Sequence, residues 1–138
     1  MQNAVLVDSG PLIALFDRSD AYHRKIKSFI QDFPYRLVST LAVLTEVTHM
    51  LDFSVNAQID FLEWVMRGGL CLQTIEQADM AGLIGLIRKY KDLPCDFADA
   101  SLVLAAEKTG IRSIISIDSD FYIYRLPGKA LIQNLFSS

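Results

Sequence analysis

Six acidic side chains of this sequence stand in apolar company. AVLVDSG runs apolar through Val7 and stops at Asp8; SIISIDSDF does the same at Asp118, with Asp120 two residues further on. CDFADAS carries Asp96 and Asp99, three apart and therefore on one helix face, near that helix's start. Glu46 interrupts LAVLTEV among Leu41, Val43, Leu44 and Val47. Carboxylates gathered in a partly dry pocket repel one another strongly. A chain that collects three or four of them usually holds a hard divalent cation there, or raises a pKa for acid–base work. The two histidines, His23 and His49, are read as standing apart from these acids, and oxygen-only ligation favours Mg2+ or Mn2+ over zinc.

Each acid also has a structural role open to it. Asp8 before Ser-Gly-Pro suits a turn or cap, Asp96 and Asp99 suit the positive end of a helix dipole, and Glu46 suits a solvated stripe. Asp120 and Asp96 read more readily as surface-turn or first-turn residues than the other acids do. Joint occurrence in four separate segments is what favours a common site.

The bulk composition limits what that site belongs to. The 138 residues fit one domain, residues 1–138, and 51% hydrophobic with 21% charged residues is enough to bury a substantial core. Cys71 and Cys95 form no CxxC pair and are expected to be small core residues of a reduced protein. Strand-like sequence within a few residues of Met1 leaves no room for a signal peptide, and no apolar run reaches the roughly 18 to 20 residues that span a bilayer. A cytoplasmic protein without a membrane anchor is expected. The formal charge of −3 argues against a generally basic nucleic-acid binder, although one site can hold a local charge of either sign.

The elements that must position the acids follow from periodicity. Val5 to Val7 reads as a buried parallel strand and PLIALFD as a short helix with Pro11 in its first turn. Ile26, Phe29, Ile30 and Phe33 predict a helix from Asp20 to Phe33, capped by Ser19 or Asp20. RLVST is a strand whose Thr40 can cap the helix LAVLTEVTHML. A further helix, with Phe61, Leu62 and Val65 on one side, stops at Gly68-Gly69, and Phe53, Phe61, Trp64 and Met66 are expected to be mostly core. LCLQTI is a strand, Ala78 to Tyr90 an amphipathic helix, and DFADASLVLAAEKTG a helix ended by Gly110. SIISID and ALIQNLF close as strands. Apolar strands alternating with helices indicate an α/β fold: a central parallel β-sheet with helices on both faces. Its ligand crevice lies outside the carboxyl ends of the strands, where Asp8 and Asp118 fall.

In AVLVDSGPLIALFD, LVSTLAVLTEV, LPCDFADASLVLAAEKTG and SIISIDSDFYIYR, in that order and spacing, the chain resembles PIN-domain ribonucleases of the VapC-like type, the toxins of bacterial and archaeal toxin–antitoxin modules. The resemblance implies a PIN-like three-layer α/β/α sandwich. It also implies a quartet of metal-holding acids that carries over to Asp8, Glu46, Asp99 and Asp118, with Asp96 and Asp120 as auxiliaries. The family's hydroxyl near the metal falls on Ser39 or Thr40, and Ser116 takes the place of the threonine common before the fourth acid. Thr40 has helix capping as its local alternative, and Ser9 a turn.

The implied activity is hydrolysis of RNA phosphodiester bonds with Mg2+ (or Mn2+) as cofactor, leaving a 5′-phosphate and a 3′-hydroxyl. HRKIK, and Arg88-Lys89 with Lys91, could grip RNA phosphates or simply be solvated helix faces. Phe97, Tyr122 and Tyr124 could stack on bases or belong to the core. A homodimer and an antitoxin partner are further implications. Two other classes stay open: an inactive PIN-like module that binds RNA or protein, and an aspartate-dependent phosphatase. The second acid of such phosphatases would fall where this chain has Gly10.

Overall fold

Ala4–Val7 forms β1, and all four of its residues are buried, so both faces of the sheet are covered at its centre. The computed structural model of the protein describes residues 3–92, 95–117 and 132–136. After β1 come α1 (Ser9–Phe16), α2 (His23–Gln31), β2 (Arg36–Thr40), α3 (Leu41–Met50), α4 (Val55–Met66) and β3 (Cys71–Gln73). A 3-10 turn, Gln77–Asp79, leads into α5 (Met80–Lys89); α6 (Phe97–Thr109), β4 (Ser113–Ile115) and β5 (Gln133–Asn134) follow. The five strands lie in the order β3-β2-β1-β4-β5 and every neighbouring pair is parallel. In register, Leu6 faces Val38 on one side and Ile114 on the other.

This order fixes where a ligand can bind. The chain adds β2 and β3 on one side of β1, then crosses back to add β4 and β5 on the other. Connections after β1 and β4 therefore leave in opposite directions and open a crevice between their carboxyl ends.

Helix α6 positions one wall of that crevice. Ala98 and the seven residues from Ala100 to Ala106 are all buried, so the helix is apolar almost all round, as a central helix must be. It packs on α3, α5 and β2, and its small side chains allow close approach. Gly110, at φ 78°, ends it in the left-handed conformation that favours glycine.

Several elements differ from expectation for local reasons. Helix α2 starts at His23 rather than Asp20. Asp17 accepts from Ser19 N at 3.0 Å and Asp20 from Tyr22 N at 2.8 Å, so these side chains hold turns that compete with the helix. Cys71 is exposed, because β3 is the edge strand, and Cys95 is half-buried; neither is the core residue expected. In α4, Phe61 is buried while Val55, Ile59, Leu62 and Met66 form an exposed apolar stripe; Phe53, just before the helix, is exposed too. Only the Phe61 and Trp64 side of this region packs inward. No described helix is long and apolar enough to cross a membrane.

The end of α4 shows how tightly that inward side is fitted. Gly68 N donates to Val65 O at 3.0 Å and Gly69 N to Trp64 O at 2.9 Å, a Schellman closure with Gly68 at φ 94°. A β-carbon on Gly69 would overlap the Trp64 indole, which is itself held against Phe16 at 5.5 Å between ring centroids. Gly69→Ala is therefore expected to lower stability by about 1–3 kcal/mol through overpacking, as measured by urea unfolding. Unfolding at the wild-type midpoint would mean that the ring is not seated as described.

Candidate active site

Asp8 follows β1 directly and caps α1 from an extended backbone (φ −82°, ψ 171°), its Oδ1 accepting from Ser9 N at 2.8 Å. Its own N–H donates to Ile115 O at 3.1 Å, which carries the β1–β4 pairing one residue past the strand. Ser116 Oγ donates to Asp8 Oδ2 at 3.1 Å. Asp8 is only 6% exposed, and these donors at a helix N-terminus offset the cost of burying its charge.

Ser116 is itself clamped by a side-chain amide. Its N–H donates to Asn134 Oδ1 at 3.1 Å, and Asn134 Nδ2 donates to Ser116 O at 2.9 Å. The same Oδ1 accepts from Phe136 N at 3.1 Å. Asn134 thus replaces backbone pairing at the end of β4 and fixes the hydroxyl beside Asp8. Sequence reasoning missed it, because an asparagine in a short strand carries no signal of a contact to a serine 18 residues away.

Glu46, half-buried on α3, accepts a hydrogen bond from Ser9 Oγ at its Oε1. Ser9 is therefore more than a turn residue: it ties the first turn of α1 to the acid of α3. The hydroxyls of Ser39 and Thr40 are engaged locally. Ser39 Oγ donates to Val7 O at 2.9 Å. Thr40 Oγ1 caps α3, accepting from Val43 N at 3.3 Å, and lies 2.7 Å from Ser101 Oγ. Ser101 donates to Ala98 O at 2.6 Å, so Thr40 is the donor to Ser101. This chain joins the start of α3 to the first turn of α6.

Asp96 and Asp99 form a capping box at the start of α6. Asp99 N donates to Asp96 Oδ1 at 2.8 Å and Asp96 N to Asp99 Oδ2 at 3.4 Å. The helix-start reading of this pair thus holds, and it leaves Asp99 in an anionic setting. Burial first, then the charges of Asp96 and Asp8, push the Asp99 carboxyl up to about 7, against the hydrogen bond from Asp96 N. Asp8 on α1 and Asp99 on α6 are therefore close enough to repel.

Beside these acids lies a cleft of about 520 Å3 walled by Glu46 and Asp96, with Ala42, Ala98 and Phe97 as apolar lining. His49, one turn after Glu46, lines it too, so the expectation of histidine-free surroundings does not hold. Phe97 is 46% exposed and does not belong to the core. Asp118 and Asp120 lie outside the described residues, as do Tyr122 and Tyr124.

The donor chemistry fits a hard divalent cation. Asp8, at the N-cap of α1, and Asp99, on α6, lie close enough to repel, and Glu46 on α3 is tied to α1 through Ser9. Burial first, then the charges of Asp96 and Asp8, hold Asp99 partly protonated, a charge crowding that a cation would relieve. Among the described residues, however, no three His, Cys, Asp or Glu side chains converge tightly enough to hold an ion by themselves.

An all-parallel α/β sheet with a buried Asp8 and further acids at its switch point defines the class of protein, and comparison with known proteins narrows it. The PIN domain family model matches residues 5–126, and the chain belongs to that family. It is 24% identical over 116 residues to Ribonuclease VapC26 of Mycobacterium tuberculosis, covering 83% of this chain and 86% of that protein. Its fold is similar to that of VapC20 of Mycobacterium tuberculosis, a Sarcin-Ricin loop cleaving toxin, with TM-score 0.76, 18% identity and coverage of 84% and 91%. A VapBC2 structure from Rickettsia felis, bound to a DNA fragment from its promoter, matches with TM-score 0.60 and 10% identity over 86% of this chain and 90% of that one. The α/β fold and the PIN resemblance expected from sequence are thus borne out.

Two outcomes follow from the site's geometry. Because the folded-state pKa of Asp99 is raised, its proton-linked stability is full below the ordinary value of 3.8 and is lost as pH rises through about 7. In chelator, the stability of Asp99→Asn relative to wild type should therefore rise by about 1–2 kcal/mol between pH 4 and pH 8, allowing for the carboxyl's partial exposure. Urea unfolding at both pH values measures this, and a pH-independent difference would contradict the crowding. Asn134→Ala removes two hydrogen bonds from the Ser116 backbone and should cost about 1–3 kcal/mol in the same assay, whereas an unchanged midpoint would mean that the clamp contributes nothing.

Proposed function

We propose that this chain is a divalent-metal-dependent endoribonuclease of the VapC kind, the toxin of a toxin–antitoxin pair. On this reading Asp8, Glu46, Asp99 and Asp118 are the metal-holding acids, and Asp96 and Asp120 are auxiliaries. The observation that carries the proposal is the placement of Asp8, one residue past β1 at the sheet's switch point, beside Asp99 in the first turn of α6, where burial and the charges of Asp96 and Asp8 push the Asp99 carboxyl up to about 7. Such an arrangement opposes folding unless a cation or a proton neutralises it.

When bound, a Mg2+ or Mn2+ ion supplies Lewis acidity, activating water and offsetting charge at the scissile phosphate. The chain's part is to hold and aim the acids. Ser116 and the α1 N-terminus keep Asp8 oriented, Ser9 orients Glu46, and the capping box with Asp96 fixes the backbone of Asp99. Asp99 must lose its proton before serving as a ligand, so cleavage at limiting metal should rise as pH passes through about 7.

An antitoxin protein and a second copy of this chain are the proposed partners. Membership of the PIN family and the likeness to the VapBC2 complex support the first. Exposed apolar surface supports both: the stripe of α4, and a groove of about 490 Å3 between α3 and β3 that includes Leu41, Leu72 and Met80 and is bordered by Phe97.

Incubation of the purified protein with labelled RNA, with Mg2+ or with chelator, tests the reading. Cleavage is expected with metal only, and Asp8→Asn, Glu46→Gln or Asp99→Asn should reduce it by roughly 100-fold or more, the scale of losing a group that stabilises transition-state charge. Asp120→Asn should cost less. Wild-type rates in the first three variants, or cleavage that persists in chelator, would refute the assignment.

A further inference from the structure

Helix α2 carries a second polar site, which it shares with the residues that follow β5. Arg24, Lys25 and Ser28 are spaced to share one face of the helix. With Phe29 on α2 and Leu135 and Phe136 after β5, they line a cleft of about 680 Å3. The floor is rigid aromatic packing. Phe136 is buried and meets Phe29 edge-on at 5.5 Å, and Phe29 stacks on Phe33 at 5.4 Å. The rim is cationic. Lys25 Nζ stands 5.8 Å from the Phe136 ring centroid, a cation–π position that holds the ammonium over the floor. Among the described residues neither Arg24 nor Lys25 is in an ion pair. His23, at the start of the same basic run, has its ring tied to Ala14 O at 2.7 Å and takes no part.

This cleft is physically joined to the acids. Phe136 N donates to Asn134 Oδ1, the oxygen that also accepts from Ser116 N, and Ser116 Oγ donates to Asp8. Because β5 is parallel to β4, Leu135 and Phe136 follow their strand at the same edge of the sheet as Ser116 follows β4. A polyanion reaching Asp8, Glu46 and Asp99 meets carboxylates in a protein of formal charge −3, so an adjacent cationic rim is what can hold it there.

We propose that the cleft of Arg24, Lys25, Ser28, Phe29 and Phe136 is a substrate subsite that grips the phosphate backbone of single-stranded RNA to one side of the scissile bond. Arg24 and Lys25 contact phosphate oxygens and the Ser28 hydroxyl donates to one of them. The aromatic floor holds the rim in place. This assignment rests on the ribonuclease reading and specifies how that substrate is held.

The test compares wild type with the double variant Arg24→Gln, Lys25→Gln, and with Arg88→Gln, Lys89→Gln on α5 as a control for loss of surface charge. Binding of a fluorescent single-stranded RNA in chelator, titrated over salt, should weaken about tenfold in the α2 variant. Its log–log salt slope should become shallower by about 1.4, two single-strand phosphate contacts' worth. With Mg2+, KM for the long RNA should rise while kcat stays unchanged, and cleavage of an RNA too short to reach the cleft should be unaffected. The α5 variant should follow wild type in all of these. Unchanged slope and KM in the α2 variant, or equal losses in the α5 variant, would overturn the subsite and leave the ribonuclease reading intact. A wild-type protein that neither binds nor cuts RNA would overturn both.

Discussion

The candidate site depends on one constraint: β1 pairs in parallel with β2 on one side and β4 on the other. Parallel pairing on both sides sends every strand's carboxyl end to the same edge of the sheet, and the reversal of strand order at β1 leaves that edge open. Asp8 stands at this point, one residue beyond β1, with its N–H still paired to β4. The covering helices then bring Glu46 and Asp99 toward it.

Gathering acids at such a point opposes folding, and the neighbouring residues show how the opposition is contained. Asp8 has a helix N-terminus and a hydroxyl, Glu46 has the Ser9 hydroxyl, and the Asp99 backbone is fixed by the Asp96 cap. Hydrogen bonds to an ionised group are worth about 1.5–3 kcal/mol each, comparable with the cost of crowding. What they leave uncompensated appears at Asp99, where burial first and then the charges of Asp96 and Asp8 push the carboxyl up to about 7. On the proposed reading, that residual repulsion favours a cation over an empty pocket, and the basic rim of α2, linked to Ser116 through Phe136 and Asn134, holds a polyanion.

Much of this was legible in the sequence where local rules dominate. Val5 to Val7, the RLVST strand, Thr40 as a cap and Gly110 as a helix stop all follow from short-range pattern, and the structure has them there. The Asp96 and Asp99 spacing announced a helix start, and Asp8 at the end of its strand announced the crevice. What could not be read depends on contacts between distant segments or on which face of an element finds a partner. Asn134 reaching Ser116, Ser9 reaching Glu46 and the Thr40–Ser101 chain have no periodic signature. Leu62 and Met66 have the hydrophobicity of core residues but lie on the side of α4 that nothing described covers, and Cys71 is exposed because its strand is last in the sheet. The start of α2 was misplaced because Asp17 and Asp20 bond their own neighbours' backbone instead of capping a helix.

The central claim is that mutual repulsion of acids at the switch point prepares a cation site. NMR titration of the Asp99 carboxyl carbon, in protein freed of metal and again in excess Mg2+, tests it most directly. The account predicts a midpoint near 7 without metal and a midpoint driven well below neutrality with it. A midpoint near the ordinary 3.8 without metal, unmoved by Mg2+, would contradict it.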